Sequence, residues 1–229
     1  MVEQQFSSTT GHGGFPAEHL IFDRGLPGSG GTAGLGPGGN RRGRLVVLEG
    51  LSAVGKSTLA PLLARAVPAR FLPTVPPEFE DARHRVDNPG SLMARLHFWM
   101  MANYAAAQAI RLALRAGGDV VVESYFYRTL ATHAAMGVTT LPVVDWDYAV
   151  TPDLAVLLTV DEEVRQRRLA ARPPDSRSYW SRLEEANVET IRRTYDTFGL
   201  MRIDTTGLTV TQVVRRLREL LAATPGPRI

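Results

Sequence analysis

The sequence contains no cysteine, which excludes a disulfide, a thiolate metal site and a thiol nucleophile. It also has no apolar run near the roughly 20 residues needed to cross a bilayer, since segments 45–48 and 153–160 are only strand-length. The N-terminus lacks the basic and then apolar order of a secretion signal. These absences predict a soluble, cytoplasmic protein with no membrane partner.

Lysine is almost absent, because 25 of the 26 basic residues are arginine and Lys56 is the one lysine. The arginines are scattered without a basic stripe interleaved with aromatic residues, which argues against a nucleic-acid partner and fits the codon usage of a GC-rich genome. In such a composition, a single lysine marks a position where the chemistry favours a compact ammonium group. The guanine-reading pattern Asn-Lys-x-Asp is impossible here, which argues against a GTPase.

The 229 residues, 44% of them hydrophobic, fit one α/β domain or at most two small ones. Twelve of the 21 glycines lie between Gly11 and Gly43. We therefore predict a glycine-rich disordered tail over residues 1–43, a folded domain over 44–223 and a short C-terminal tail over 224–229. Because the first segment has little apolar surface to bury, we expect it to be dispensable for folding.

Lys56 lies in a motif that fits G-x-x-x-x-G-K-[ST], from Gly50 to Ser57, directly after the apolar run 45–48. Such a loop turns backbone N–H groups toward a polyphosphate at the start of a helix. The lysine reaches the outer phosphates, and the Ser57 hydroxyl is a ligand for Mg²⁺. We expect Lys56 on an exposed loop, outside the core. The predicted nucleotide-binding residues are Gly50, Ser52, Ala53, Val54, Gly55, Lys56, Ser57 and Thr58; a chance glycine-rich turn is the alternative.

Strand-like and helix-like segments alternate along the rest of the chain, which favours a parallel sheet covered by helices on both faces. The predicted strands cover 45–49, 70–75, 119–123, 153–160 and 200–204. The predicted helices cover 56–67, 91–116, 127–136, 162–171, 179–198 and 210–222. The fold class is therefore α/β, with a mostly parallel five-stranded sheet.

Four segments together carry a family resemblance: Leu-Glu-Gly-Leu-Ser-Ala-Val-Gly-Lys-Ser-Thr at 48–58, the segment 109–128 with Val-Val-Val-Glu-Ser-Tyr, the apolar strand at 151–160, and an arginine-rich stretch after Val164. In this order they resemble the thymidylate kinase and deoxynucleoside kinase group of P-loop kinases, from Arg44 to about Ala223. The resemblance implies the three-layer P-loop fold with an arginine-rich lid, ATP as phosphoryl donor, and Mg²⁺.

The resemblance also assigns residues. Glu123 takes the place of an acidic residue that helps hold Mg²⁺ together with Ser57, and Arg168, Arg172 and Arg177 are the candidates to close over the transferring phosphate. Phosphoryl transfer depends mostly on positioning and charge neutralisation, which suits these residue types. The alternatives are that Glu123 caps the next helix and that the lid arginines form a solvated face.

The sequence departs from the thymidylate kinase pattern on the acceptor side. An acidic residue is missing at Ser52 or Ala53, and arginines are missing at 74–77, at Ser124 and near Ala102 or Asn103. Arginine is the usual residue for gripping a phosphate, so these gaps disfavour a monophosphate acceptor. We expect transfer to a hydroxyl of a nucleoside, sugar, amino sugar or similar metabolite.

Acidic and aromatic residues remain as the expected acceptor side, and Glu78 is the first candidate for a general base because it lies just past the second strand. The other members of this group are Glu80, Asp81, Phe98, Trp99, Tyr104, Tyr125, Tyr127 and the loop 145–148, with Phe98 and Trp99 favoured as core. Three alternatives stay open: a thymidylate kinase, a P-loop ATPase, and a nucleotide-binding regulator without catalysis. A homodimer is also possible.

Overall fold

The computed structural model describes residues 42–87, 90–173 and 179–225, with the backbone alone at 179 and 180. Most of the two predicted tails and Arg177 lie outside the described residues. The described residues belong to one unit, which spans Gly34–Ile229.

Five parallel strands form one sheet in the order β2-β3-β1-β4-β5, which confirms the predicted architecture. Burial on both faces explains why the three central strands read as continuous apolar runs. The register sets Leu48 of the first strand beside Glu123 of the third, so the loops that follow these two strands lie side by side. The strands are β1 (Leu45–Glu49), β2 (Arg70–Leu72), β3 (Val120–Glu123), β4 (Leu154–Thr159) and β5 (Met201–Asp204).

Helices connect the strands, and several begin at residues whose side chains cap the first turn. Ser91, Asp161 and Thr209 accept hydrogen bonds from backbone N–H groups at the start of their helices. In the described part of the chain no helix is long and apolar enough to cross a membrane. The helices are α1 (Lys56–Ala66), α2 (Glu80–Val86), α3 (Leu92–Arg115), α4 (Phe126–Ala135), α5 (Glu162–Ala170), α6 (Tyr179–Ala186), α7 (Val188–Asp196) and α8 (Val210–Ala223).

The core lies on both faces of the sheet, as the alternation of β1 shows. Val46 and Leu48 belong to a cluster that packs with α1, α7 and α8. Leu45 and Val47 point the other way, into a cluster that packs with α3 and α4. Two packed layers of helices on one sheet are the three-layer arrangement expected from the sequence.

Two segments differ from the sequence prediction. The predicted helix over 179–198 is two helices, because the backbone at Asn187 leaves helical geometry with φ −124° and ψ 18°. Strand β2 ends at Leu72 rather than at 75, since Pro73 lacks the N–H that a continuing strand would use. Beyond it, a 3₁₀ turn (Pro77–Phe79) leads into α2, which the sequence analysis did not predict.

Candidate active site

The loop between β1 and α1 is shaped by two glycines in the left-handed region. Gly50 has φ +136°, and a Cβ atom there would lie 2.5 Å from the carbonyl oxygen of Leu158. Gly55 has φ +108° immediately before the first turn of α1. Only glycine adopts both conformations without strain. The loop therefore wraps round the N-terminus of α1, where backbone N–H groups and the helix dipole favour an anion.

Lys56 is buried with 6% of its surface exposed, so the expectation of an exposed side chain is wrong. Its Nζ donates hydrogen bonds of 2.8 Å to the carbonyl of Gly50 and 2.9 Å to that of Leu51. Burial, together with the nearby positive charge of Arg128, lowers the pKa of Lys56 to about 8. An anionic phosphate in the loop would supply the negative charge that this ammonium needs.

Ser57, in the first turn of α1, lies against Glu123 at the end of β3. Ser57 Oγ donates a 2.6 Å hydrogen bond to Glu123 Oε1. Hydroxyl and carboxylate oxygens are hard ligands that fit Mg²⁺, which proteins usually hold through one or two carboxylates and substrate phosphates. The described residues contain no group of three or more His, Asp or Glu side chains that could hold a metal.

Most of the predicted site residues line one cavity of about 490 Å³, which we call the P-loop cavity. It is lined by residues 52–59, Glu123, Ser124, Arg128, Arg168, Arg172, Thr205, Leu208, Val210 and Val213. The structure thus brings the loop, the candidate metal ligands and two of the three candidate lid arginines into one space.

A second cavity of about 630 Å³, the outer cavity, adjoins the first. Five residues line both cavities and mark their junction: Ser52, Ser57, Glu123, Ser124 and Arg128. Its other walls include Glu80, Arg83, Asp87, Arg95, Trp99, Tyr125, Thr129, His133 and Glu184. Glu78 is exposed and does not line either cavity, and the loop 145–148 packs elsewhere, near Arg111. Phe98 is a core residue, as favoured from the sequence, whereas Trp99, which was also favoured as core, is only partly buried and lines the outer cavity.

Arg128, which the sequence analysis did not select, is the central cation of the junction. It donates hydrogen bonds of 2.8 Å to the carbonyl of Gly50 and 2.6 Å to Glu184 Oε2. Burial acts to lower its pKa, but the carboxylates of Glu184 and Glu49 outweigh burial and hold the pKa above its usual value. The sequence offered one signal for this residue: Arg128 follows Glu123 by five residues and lies in the first turn of α4.

Glu184, also missed, reaches the loop from α6. Its Oε1 accepts a 2.8 Å hydrogen bond from the backbone N–H of Ser52, and 4% of the residue is exposed. Burial raises its pKa, but Arg128 and the Ser52 N–H outweigh burial and keep the pKa below the usual range. The carboxylate is therefore charged at neutral pH. No motif marks this residue within its helix.

The far end of the outer cavity holds a second charged group. Arg95 Nε donates to Asp87 at 3.1 Å, and Arg95 Nη1 lies 3.0 Å from His133 Nε2. His133 Nδ1 donates to the carbonyl of Thr129 at 2.6 Å. Burial and the charge of Arg95 lower the pKa of His133 to about 4, so its imidazole is neutral and accepts the hydrogen bond from Arg95.

The lid consists of α5, α6 and the described residues 171–173 after α5, and three of its arginines lie in different surroundings. Arg165 is fully buried and pairs with Glu162 and Glu185, so a solvated face is wrong for this residue. Arg168 Nη1 donates to the carbonyl of Ala53 at 3.2 Å. Arg172 is exposed at the edge of the P-loop cavity.

Comparisons with known proteins agree with this geometry. The sequence model described as an AAA domain matches residues 45–198. A thymidylate kinase of Desulfotalea psychrophila (strain LSv54 / DSM 12343) is 28% identical over 143 residues, which are 58% of this chain and 71% of that protein. A solved structure of thymidylate kinase from Candida albicans has a TM-score of 0.62 and 19% identity, covering 80% of this chain and 92% of that one. These matches confirm the resemblance to thymidylate kinase-like P-loop kinases and the fold that it implied.

Proposed function

Since the chain belongs to the AAA domain family, we propose that it transfers the γ-phosphoryl group of ATP to a hydroxyl of a small molecule, with Mg²⁺. The protein is a phosphotransferase of the thymidylate kinase-like P-loop type. The observation that carries the proposal is the pair of adjoining cavities, one built on the P-loop and one beside it. A kinase needs this arrangement because it holds a donor and an acceptor end to end.

Each group of the P-loop cavity has a role in that transfer. The loop N–H groups and Lys56 bind and neutralise the donor phosphates, while Ser57 and Glu123 hold Mg²⁺. Mg²⁺ held by these two residues would supply charge neutralisation for the donor phosphates. Arg168 and Arg172 stabilise the charge on the transferring group from the lid side.

The outer cavity favours a hydroxyl acceptor over a phosphate, for a reason that differs from the sequence argument. The sequence analysis expected little positive charge there, yet Arg83, Arg95 and Arg128 all line the cavity. Each of the three is paired with a carboxylate, from Glu80, Asp87 and Glu184 respectively. These carboxylates offset the positive charge that a dianionic phosphate needs, whereas a neutral or cationic acceptor does not need it. The acceptor is therefore a nucleoside, a sugar or an amino sugar.

Thymidine monophosphate is the second candidate. The names of the relative and of the structural neighbour support it, as does the presence of three guanidinium groups in the outer cavity. On this alternative, the acceptor phosphate draws Arg95 or Arg128 away from its carboxylate.

An acceptor panel tests the proposal. Wild-type protein with Mg²⁺ and ATP is given thymidine, deoxycytidine, glucosamine or thymidine monophosphate, and ADP release is measured together with the mass gain of the acceptor. We expect ADP release that depends on a hydroxyl acceptor. Conversion of thymidine monophosphate alone would support the second candidate, acceptor-independent release would indicate an ATPase, and nucleotide binding without turnover would indicate a regulator.

A further inference from the structure

Glu184 lies where the two cavities meet, although it belongs to the lid. Its carboxylate contacts Ser52 and Arg128, and both of these residues line the P-loop cavity as well as the outer cavity. Glu184 itself lines the outer cavity. The side chain is thus on the acceptor side of the point at which a donor phosphate would face an acceptor.

Four carboxylates line the outer cavity. Two of them pair with arginines at its far end, and a third is the candidate metal ligand. Glu80 and Asp87 pair with Arg83, and Asp87 also pairs with Arg95, at the far end. Glu123 accepts from Ser57 and is the candidate ligand for Mg²⁺. Glu184 is paired as well, with Arg128, but among the described lining residues it is the carboxylate at the junction that is not a candidate metal ligand.

The carboxylate of Glu184 also has hydrogen-bonding capacity left. Its Oε2 accepts from Arg128 and, at 3.3 Å, from Ser52 Oγ. Its Oε1 accepts from the Ser52 N–H, and a carboxylate oxygen accepts two hydrogen bonds. One lone pair of Oε1 therefore remains for a hydroxyl.

We propose that Glu184 binds the attacking hydroxyl of the acceptor and accepts its proton. The inference rests on the proposed function and assigns the proton acceptor for that reaction. The hydroxyl oxygen forms the new bond to the γ-phosphorus, while the bond from that phosphorus to the β,γ-bridging oxygen breaks and its electron pair leaves with ADP. The hydroxyl proton goes to Glu184, which is the step a positioned carboxylate supplies in phosphoryl transfer. The proton acceptor therefore comes from the lid, and not from the P-loop or from Glu78.

Glu184→Gln tests the inference, with Glu163→Gln on the exposed side of α5 as the matched control. The amide keeps the shape and still accepts from the Ser52 N–H, but it does not take up a proton. With the panel member that wild-type protein converts, we expect kcat to fall about 100-fold or more. The Kd for ADP, measured by calorimetry, should stay within about threefold of wild type, because the amide oxygen keeps the hydrogen bond from the P-loop N–H of Ser52. The control should match wild type in both quantities.

If Glu184 only holds the lid in place, the opposite effects on kcat and on the Kd for ADP are expected. In that case Glu184→Gln would weaken ADP binding and leave kcat within about threefold of wild type, which overturns the inference. Glu184→Asp is a second test in case Glu184→Gln does not fold. Aspartate keeps the negative charge that Arg128 needs, but its shorter side chain withdraws the carboxylate from the junction. We expect kcat to fall about tenfold in this variant, and a wild-type kcat would also overturn the inference. If wild-type protein converts no panel member, or thymidine monophosphate alone, the proposed function fails and the inference fails with it; if wild type converts a hydroxyl acceptor and both variants match it, the inference alone fails.

Discussion

Ser57 Oγ donates a 2.6 Å hydrogen bond to Glu123 Oε1, which ties the first turn of α1 to the end of β3. The two residues are 66 positions apart, and the parallel register of β1 with β3 brings them together. Carboxyl ends of parallel strands are where such sheets bind ligands. The contact therefore places a hydroxyl and a carboxylate side by side at the mouth of the P-loop.

Glu123→Gln should raise the Mg²⁺ concentration for half-maximal turnover about tenfold or more. The amide still accepts a hydrogen bond from Ser57, but it lacks the negative charge that attracts a divalent cation. A magnesium titration of turnover checks this expectation, with Glu163→Gln as the control for loss of a surface charge. An unchanged magnesium requirement would leave Glu123 as a structural hydrogen-bond partner of Ser57.

Lys56→Ala and Lys56→Arg should both abolish turnover. Alanine removes the charge that faces the phosphates, and a guanidinium is too broad for the space between the carbonyls of Gly50 and Leu51. Burial lowers the pKa of Lys56 to about 8, so the ammonium costs the free protein stability at neutral pH, and alanine should leave the free energy of unfolding equal to or above that of wild type. Turnover assays and urea unfolding measure the two effects, and wild-type turnover in either variant would contradict the P-loop assignment.

Nucleotide binding near pH 8 should take up protons. The pKa of Lys56 is about 8 in the free protein, so a substantial fraction of the side chain is neutral there. Anionic phosphates favour the ammonium form, so they raise this pKa and draw a proton from the buffer. Calorimetry with ADP in two buffers of different ionisation enthalpy measures the uptake. Lys56→Arg is the control, since arginine stays charged; equal uptake in wild type and variant would contradict the assignment to Lys56.

Much of the fold could be predicted from the sequence, because the central strands are apolar runs and the connecting helices have clear starts. The split between α6 and α7 at Asn187 could not, since the residues on both sides favour helix and the break is a matter of local backbone geometry. Helix α2 was also missed. It follows Pro76 and Pro77, for which the sequence analysis predicted neither a helix nor a strand.

The candidate site also contains both residues that could be predicted from the sequence and residues that could not. The P-loop is a local motif, and Glu123 follows a recognisable strand, so both could be placed from the sequence. Glu184 could not, because its partners Arg128 and Ser52 are 56 and 132 positions away and only the folded lid brings them together. Glu78 illustrates the reverse case: it lies in a suitable segment, but the 3₁₀ turn leaves it exposed.

Arg128→Ala should lower the free energy of unfolding by about 3–5 kcal/mol, because it leaves the buried carboxylate of Glu184 without its cation. Glu184→Gln removes the charge that needs pairing. The double variant should therefore be less destabilised than the sum of the two single variants. Urea unfolding of all four proteins gives the coupling energy, and strict additivity would contradict a direct ion pair.

Glu49→Gln should stabilise the protein at pH 8 but not at pH 4.5. Burial raises the pKa of Glu49 to about 7 from an ordinary 4.5, although the Tyr125 N–H, Lys56 and Arg128 oppose the shift. Between pH 4.5 and 7 the native state thus binds more protons than the unfolded chain, so the contribution of Glu49 to stability falls as the pH rises through this window.

Glutamine is uncharged, so it avoids this loss of stability, and it keeps the same two hydrogen-bond partners. Its carbonyl oxygen accepts from the Tyr125 N–H, as Glu49 Oε1 does at 2.7 Å, and its amide donates to the hydroxyl of Tyr195, which now donates to Glu49 at 3.1 Å. We expect a gain of about 1–3 kcal/mol at pH 8, measured by urea unfolding, and a difference near zero at pH 4.5. A gain of the same size at both pH values would show that packing, and not the buried charge, separates the two side chains.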